Sequence, residues 1–183
     1  MTIPNIITIA RFLAVPGIIY ALSHGEMVLA FCLFLAAGIS DGIDGFIARQ
    51  FNQRSELGAW LDPLADKLLI VSVFVVLGIT GKFADWLVIL VVSRDVLIVG
   101  AVMLASVMRQ PMEADPILVS KANTAAQIAL VAARLSELAF AFPLGPVVPV
   151  LTAAVAVLTI LSAASYLRIW MRHMGMAGRS SGR

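Results

Sequence analysis

The sequence has few charged residues and only one cysteine. Aspartate, glutamate, lysine and arginine make up 13% of its 183 residues, which is about half the share usual in soluble domains. A single cysteine, Cys32, excludes a disulfide within the chain. Because Cys32 lies in an apolar run, we expect a small buried core residue rather than a metal ligand or a redox thiol.

Hydrophobic residues are correspondingly abundant. They make up 61% of the chain, and the mean hydropathy is +0.98. A soluble domain of this size could not bury so much apolar surface, so the composition predicts an all-α integral membrane protein. The net charge of +2 does not indicate a nucleic-acid partner, because the basic residues cluster at the ends of predicted helices.

Apolar runs separated by turn residues predict six transmembrane helices. Each run is long enough to cross a hydrocarbon core, which takes about 20 helical residues. The runs are Ile6–Leu22, Met27–Arg49, Leu57–Ile79, Ala84–Met108, Ile117–Phe140 and Val147–Met171. Residues 1–174 would form one domain, and we expect a basic, disordered tail over residues 175–183. Pro4 and Asn5 leave two possible starts open, a straight first helix or a short segment lying on the membrane interface.

The basic residues predict the orientation in the membrane. Most of them flank the connections after the second and fourth helices, or lie at the end of the sixth helix or after it. They are Arg49, Arg54, Arg109, Lys121, Arg168, Arg172, Arg179 and Arg183. By the positive-inside rule, these connections and both termini face the cytoplasm. The chain opens with neither a basic signal-peptide region nor an arginine-rich presequence, so we expect a bacterial inner membrane.

Four aspartates within the second and third predicted helices form the most informative pattern. Asp41 and Asp44 are three residues apart and Asp62 and Asp66 are four apart, so each pair projects from one helix face. On antiparallel neighbouring helices, all four carboxylates can converge. Each carboxylate at membrane depth costs about 2.5 to 3.5 kcal/mol, and hard divalent cations, which prefer oxygen ligands, offset that cost. The pattern therefore indicates a divalent-cation site suited to binding a diphosphate.

This stretch resembles the signature of the CDP-alcohol phosphotransferases. Its spacing is Asp-x2-Asp-Gly-x2-Ala-Arg-x8-Gly-x3-Asp-x3-Asp, starting at Asp41. The resemblance implies a six-helix membrane core that is typically dimeric, and two Mg²⁺ or Mn²⁺ ions held by the four aspartates. It also implies that Asp66 is the general base that takes the proton from the attacking hydroxyl. The implied CDP pocket consists of Asp44, Gly45, Ala48, Arg49 and Gly58.

Shorter motifs distinguish between subfamilies. The runs Ser-Arg-Asp-Val at 93–96 and Ser-Lys-Ala-Asn-Thr-Ala-Ala-Gln at 120–127 resemble the CMP-forming, eukaryotic-type cardiolipin synthases. That resemblance implies transfer of a phosphatidyl group from CDP-diacylglycerol to phosphatidylglycerol. The opening run Ile-Pro-Asn-Ile-Ile-Thr-Ile-Ala-Arg at 3–11 resembles phosphatidylglycerophosphate synthases and cardiolipin synthases alike, which leaves glycerol-3-phosphate open as the acceptor.

Further polar residues in the helices are candidates for binding the acceptor or a lipid phosphate. They are Asn5, Thr8, Arg11, Arg94 and Lys121. Each also has an ordinary alternative: a polar stripe on an interfacial helix for the first three, a helix–helix salt bridge for Arg94, and snorkelling to headgroups for Lys121.

Two charged pairs give expectations about neighbours. Adjacent helical residues do not face each other, so Arg94 and Asp95 are expected to have different partners. Arg134 and Glu137, three residues apart, are expected to pair with each other near the far side of the membrane.

A cation-coupled transporter is the alternative from outside the enzymes, because intramembrane acids also mark cation paths. Such a transporter is expected to show two related halves with interrupted helices in matching positions. The aspartate motifs lie only in the second and third predicted helices, which favours the enzyme.

Overall fold

The computed structural model describes residues 3–50, 56–107 and 118–180, and the side chains of residues 11–40, 65–100, 118–168 and 171. Within these ranges the chain forms helices joined by short turns and no strand. The helices are α1 (Ile3–Ser23), α2 (Met27–Gln50), α3 (Glu56–Ile79), α4 (Asp85–Val107), α5 (Leu118–Phe140) and α6 (Val147–Ser180).

The six predicted helices are confirmed, and all but one of the predicted ends lie within three residues of the observed ones. The exception is α6, which continues to Ser180 instead of ending at Met171. The expected disordered tail from residue 175 is therefore wrong for residues 175–180. Gly175 alone does not end the helix, because no proline follows it and methionine and alanine, both good helix formers, surround it.

At the start of the chain, no break separates an interfacial segment from the first helix. Residues 3–23 form one continuous helix that includes Pro4 and Asn5. Proline is tolerated there because the amide of a first-turn residue has no partner within the helix.

Two helices end in glycine-centred caps that turn the chain sharply back. Gly25 and Gly81 have φ values of 78° and 67°, which glycine adopts without the strain that a Cβ would add. The amide of Gly81 donates to the Gly78 carbonyl at 2.8 Å, and the amide of Lys82 donates to the Leu77 carbonyl at 2.7 Å. These bonds satisfy carbonyls that the end of α3 would otherwise leave open.

The helices pack around a core to which all six contribute. α1 packs on α2 and α3, α5 packs on α2 and α6, and α4 packs on α6 and α3. At Gly78 an added Cβ would lie 2.8 Å from Cγ2 of Val88, so the absence of a side chain there permits the close approach of α3 and α4. The largest fully buried apolar side chains are Ile18, Leu22, Phe74, Leu77, Leu87, Leu130 and Leu135.

The outer surface of the bundle is strongly apolar. Exposure reaches 82% for Ile79, 81% for Leu118 and 70% for Leu13. In the described part of the chain, one helical stretch, Val147–Arg168, is long and apolar enough to cross a membrane, and only 17% of it is buried. Cys32 is also exposed, which corrects the expectation of a buried core residue. An apolar run places a thiol equally well on an outer face of α2.

Candidate active site

The last aspartate of the motif lies at the wall of a cavity between three helices. Asp66 is on α3, and its side chain is 37% exposed. The cavity has a volume of about 260 Å³. Its other walls come from α2 and α5 and are almost wholly apolar. The lining residues are Phe34, Leu35, Ala37, Gly38, Ile39, Asp66, Leu69, Ile70, Thr124, Ile128 and Ala132.

An arginine from the first helix anchors this carboxylate. Nη1 of Arg11 donates to Oδ1 of Asp66 at 2.7 Å, and the Arg11 side chain is 1% exposed. A charge buried this deeply is stable only with a charged partner, and the ion pair also fixes how the carboxylate is turned. Two residues 55 positions apart in the chain, each already a candidate from the sequence, are therefore brought together.

The other motif residues lie on α2 and α3. Asp41, Asp44, Gly45, Ala48 and Arg49 belong to the second half of α2, and Gly58 and Asp62 to the first third of α3. Their side chains lie outside the described residues, as do those of Asn5 and Thr8. The expected convergence of four carboxylates and the expected CDP pocket therefore stay predictions.

Of the four aspartates expected to hold metal ions, Asp66 is the one whose side chain is described. Among the described side chains, no group of three histidines, cysteines, aspartates or glutamates could hold a metal ion. That finding covers Asp66 but none of the other three motif aspartates. The partly exposed carboxylate of Asp66, at the wall of a cavity, is compatible with a hard divalent cation, which takes oxygen ligands.

A second polar group lies buried between α4, α5 and α6. Arg94 is 3% exposed, and its Nε and Nη2 donate to Oγ of Ser162 at 3.1 and 2.6 Å. Nη2 also donates to Oγ of Ser120, and Nη1 pairs with the carboxylate of Asp95. We call Arg94, Asp95, Ser120 and Ser162 the arginine cluster. It joins the two short motifs, at 93–96 and 120–127, that the subfamily resemblance singled out.

The arginine cluster corrects one expectation. Arg94 and Asp95 were expected to have different partners, yet they bind each other. The spacing rule concerns the directions of the Cα–Cβ bonds, and an arginine side chain is long enough to fold back towards its neighbour. Lys67 of α3, next to Asp66, lies within electrostatic range of both, so the cluster adjoins the candidate active site.

The remaining candidate with a described side chain, Lys121, lies on α5 together with other polar residues. Lys121 is exposed and lines a cavity of about 400 Å³ together with Ser120, Thr124, Ala125 and Ile128. Two residues further along, Asn123 is fully buried, and its Oδ1 accepts a hydrogen bond from Thr159 at 3.0 Å. The expected pair of Arg134 and Glu137 is confirmed, with a distance of 2.9 Å between Nη1 and Oε2.

Sequence reasoning missed the polar residues of α6. Thr159 and Ser162 are buried and bind Asn123 and Arg94, respectively. A signal was present, because the two polar residues lie three residues apart in a mostly apolar stretch of α6 and so share one face. Polar side chains that share a face in a membrane helix typically bind another helix.

Comparison with known proteins agrees with the motif. Residues 1–165 match the family model described as CDP-alcohol phosphatidyltransferase. The chain is 35% identical over 181 residues to a human cardiolipin synthase (CMP-forming), an alignment covering 90% of this chain and 60% of that one. It is 37% identical over 147 residues to a probable cardiolipin synthase (CMP-forming) of Drosophila melanogaster, covering 72% and 46%.

A bacterial relative is named as a different enzyme of the family. The chain is 33% identical over 177 residues to a probable phosphatidylglycerophosphate synthase of Mycobacterium tuberculosis, and the alignment covers 93% of this chain and 82% of that one. By contrast, the chain spans less than two thirds of the length of the two cardiolipin synthases named above.

Proposed function

Because this chain belongs to the CDP-alcohol phosphatidyltransferase family, we propose that it is a cardiolipin synthase. It would transfer a phosphatidyl group from CDP-diacylglycerol to a hydroxyl of phosphatidylglycerol, giving cardiolipin and CMP. The observation that carries the proposal is the position of Asp66, anchored by Arg11 at the wall of a cavity between α2, α3 and α5. The named relatives support the choice of acceptor.

Asp66 is the proposed general base. Its carboxylate takes the proton of the acceptor hydroxyl, the hydroxyl oxygen forms a bond to the phosphorus that bears the diacylglycerol, and the bond from that phosphorus to CMP breaks. Arg11 acts as a positioning residue, because its 2.7 Å bond to Oδ1 holds the carboxylate in one orientation. The largely apolar walls of the cavity would limit the access of water, which would otherwise compete as an acceptor.

Two divalent cations, Mg²⁺ or Mn²⁺, would be held by Asp41, Asp44, Asp62 and Asp66. The donor set fits them, because it consists of carboxylate oxygens and because Asp66, the described member, is partly exposed. Bound there, they would neutralise the charge that develops on the diphosphate. The nucleotide would be bound by Asp44, Gly45, Ala48, Arg49 and Gly58, with the guanidinium of Arg49 on a phosphate.

The acceptor is proposed to bind beside Asp66 on the side of α4 and α5, away from the proposed nucleotide pocket. Lys121 is exposed beside a cavity on α5 and can reach a lipid phosphate. Arg94 lies deeper and contributes through the arginine cluster, which fixes α4, α5 and α6 relative to one another. Asn5 and Thr8 precede Arg11 at helical spacing and are proposed to face the same substrate.

The proposed location is a bacterial inner membrane that all six helices span. The outer surface supports this location, because large apolar side chains such as Ile79 and Leu118 are exposed there. Such a surface is more stable in contact with lipid than with water. The proposed orientation, with both termini and the active site on the cytoplasmic side, rests on the basic residues. A homodimer is proposed from the resemblance to the family.

Phosphatidylglycerophosphate synthase is the second candidate function. It is favoured by the mycobacterial relative, which this chain matches over 82% of that protein's length. The donor, the leaving CMP and the role of Asp66 are the same in both reactions. The difference is the acceptor, which would be glycerol-3-phosphate instead of phosphatidylglycerol.

An acceptor assay distinguishes the two functions. Purified protein in detergent receives CDP-diacylglycerol with Mg²⁺ or Mn²⁺ and either phosphatidylglycerol or glycerol-3-phosphate, and CMP release is measured. We expect release with phosphatidylglycerol, with cardiolipin as the lipid product, and a loss of at least about 10²-fold in the Asp66→Asn variant. Release with glycerol-3-phosphate alone would assign the second function, and release with neither acceptor would contradict both.

A further inference from the structure

A cationic cavity lies at the end of the bundle away from Asp66. Its volume is about 410 Å³, within the range of sites that bind small groups. The α3–α4 turn and the helices α4, α5 and α6 form its walls, and the two charged side chains that line it are both basic. The lining residues are Lys82, Phe83, Ala84, Trp86, Leu87, Arg134, Val148, Pro149, Thr152 and Ala153.

Lys82 is held rigidly at this cavity by its backbone. Its amide caps α3, and its carbonyl accepts a hydrogen bond from Nε of Arg134 at 3.1 Å. The next residue, Phe83, stacks on Phe74 with ring centroids 5.1 Å apart. Within the described part of the chain, the Lys82 ammonium makes no hydrogen bond or ion pair, so a fixed backbone presents an unneutralised cation to the cavity.

Arg134 supplies the second basic side chain. It is 29% exposed, and its Nη1 pairs with Glu137. Glu137 also accepts a hydrogen bond from the amide of Leu144 at 2.9 Å, and neither it nor the exposed Asp85 at the start of α4 lines the cavity. The charge facing the cavity is therefore positive.

The position of the cavity indicates where its ligand would come from. Lys82 follows Asp66 by 16 residues on α3 and its cap, which is about 24 Å along a helix, so the cavity is separate from the candidate active site. Trp86 at its edge is 54% exposed, as tryptophan is at the boundary between hydrocarbon and headgroups. Positive charge is also uncommon on a non-cytoplasmic side, so two basic residues there need a specific reason.

We propose that this cavity binds the phosphate of a phospholipid headgroup in the leaflet opposite the active site, with the acyl chains against the apolar surface beside Trp86. The inference rests on the proposed membrane orientation. A phosphodiester suits the site, because its oxygens can accept from the Lys82 ammonium and from a partly exposed guanidinium at once. The lipid would join the α3–α4 turn to the start of α6.

Native mass spectrometry of the full chain in detergent tests this proposal by counting bound lipids. The probe is phosphatidylethanolamine, which carries the phosphodiester but is not the proposed acceptor. Diacylglycerol with the same acyl chains and inorganic phosphate are the comparison ligands. Lys82→Gln is the main variant, because it removes the ammonium and keeps the carbonyl that Arg134 binds. Arg168→Gln is the matched control, which removes an exposed cation about 30 Å further along α6.

We expect Lys82→Gln to weaken one phosphatidylethanolamine binding event about tenfold, as loss of one charge-assisted hydrogen bond does. Diacylglycerol binding and the Arg168→Gln variant should be unchanged. The inference is overturned if Lys82→Gln binds the phospholipid like the parent, if diacylglycerol shows the same loss, or if only inorganic phosphate binding depends on Lys82. CMP release is measured in parallel, and its absence in the parent protein would count against the proposed function and not against this site.

Discussion

The arginine cluster should stabilise the packing of α4, α5 and α6, and Arg94→Met tests this. The substitution keeps an unbranched but shorter side chain and removes the charge and every hydrogen bond to Ser120, Ser162 and Asp95. It leaves Asp95, whose side chain is 10% exposed, without its bonded cation. Removing one partner of a buried ion pair typically lowers the free energy of unfolding by about 3 to 5 kcal/mol. Because Lys67 remains within electrostatic range, we expect the lower end, about 3 kcal/mol.

The free energy of unfolding can be measured by titrating the purified protein in mixed detergent micelles with a denaturing detergent. Ser93→Ala is the matched control, because Ser93 is exposed and adjacent to Arg94, and it should change the free energy by less than about 0.5 kcal/mol. The double variant Arg94→Met with Asp95→Asn removes both charges. The free energy of unfolding should fall by less in the double variant than in the two single variants added together. The difference, which is the coupling energy of the pair, should be about 1 to 3 kcal/mol.

Two results would refute this reasoning. A loss below about 1 kcal/mol for Arg94→Met would show that the buried bonds contribute little. Unchanged stability with a raised Michaelis constant for the acceptor would mean that Arg94 binds the acceptor phosphate instead. A raised Michaelis constant together with lost stability is the outcome expected of a positioning residue.

Three further outcomes follow from the site and the packing. Arg11→Gln should lower the turnover number about tenfold or more in the CMP-release assay, because Asp66 loses its anchor, while Arg11→Lys should recover part of it. Equal turnover in the glutamine variant and the parent would contradict the positioning role. Gly78→Ala should reduce the free energy of unfolding by about 1 to 3 kcal/mol, because Val88 must move, and Gly100→Ala, which meets nothing within 4 Å, is the control. Removing divalent cations with EDTA should stop CMP release and adding Mg²⁺ or Mn²⁺ should restore it, and release that persists in EDTA would count against the metal centre.

Much of the fold follows from local signals in the sequence. Apolar runs and glycines such as Gly25 and Gly81 predict where helices begin and end, because both depend on a few neighbouring residues. The pair of Arg134 and Glu137 is likewise local, since three-residue spacing alone brings the side chains together. The end of α6 was missed, because no single residue there excludes a helix.

Contacts between helices could not be predicted in the same way. The pairing of Arg11 with Asp66 depends on how α1 packs on α3, and nothing in the spacing of 55 residues encodes that packing. The arginine cluster similarly needs the relative rotation of three helices. The aspartate motif identified Asp66 as important, and the run at 93–96 did the same for Arg94. Only the packing shows which side chains the two residues bind.

The base role of Asp66 is the central claim, and Asp66→Asn tests it most directly. Turnover is measured as CMP release in the presence of acceptor, and binding is measured with labelled CDP-diacylglycerol on the same protein. The account predicts a loss of turnover of about 10² to 10⁴-fold, as general-base removal gives, with donor binding largely kept. Turnover within about tenfold of the parent, or an equal loss of turnover and binding, would contradict it.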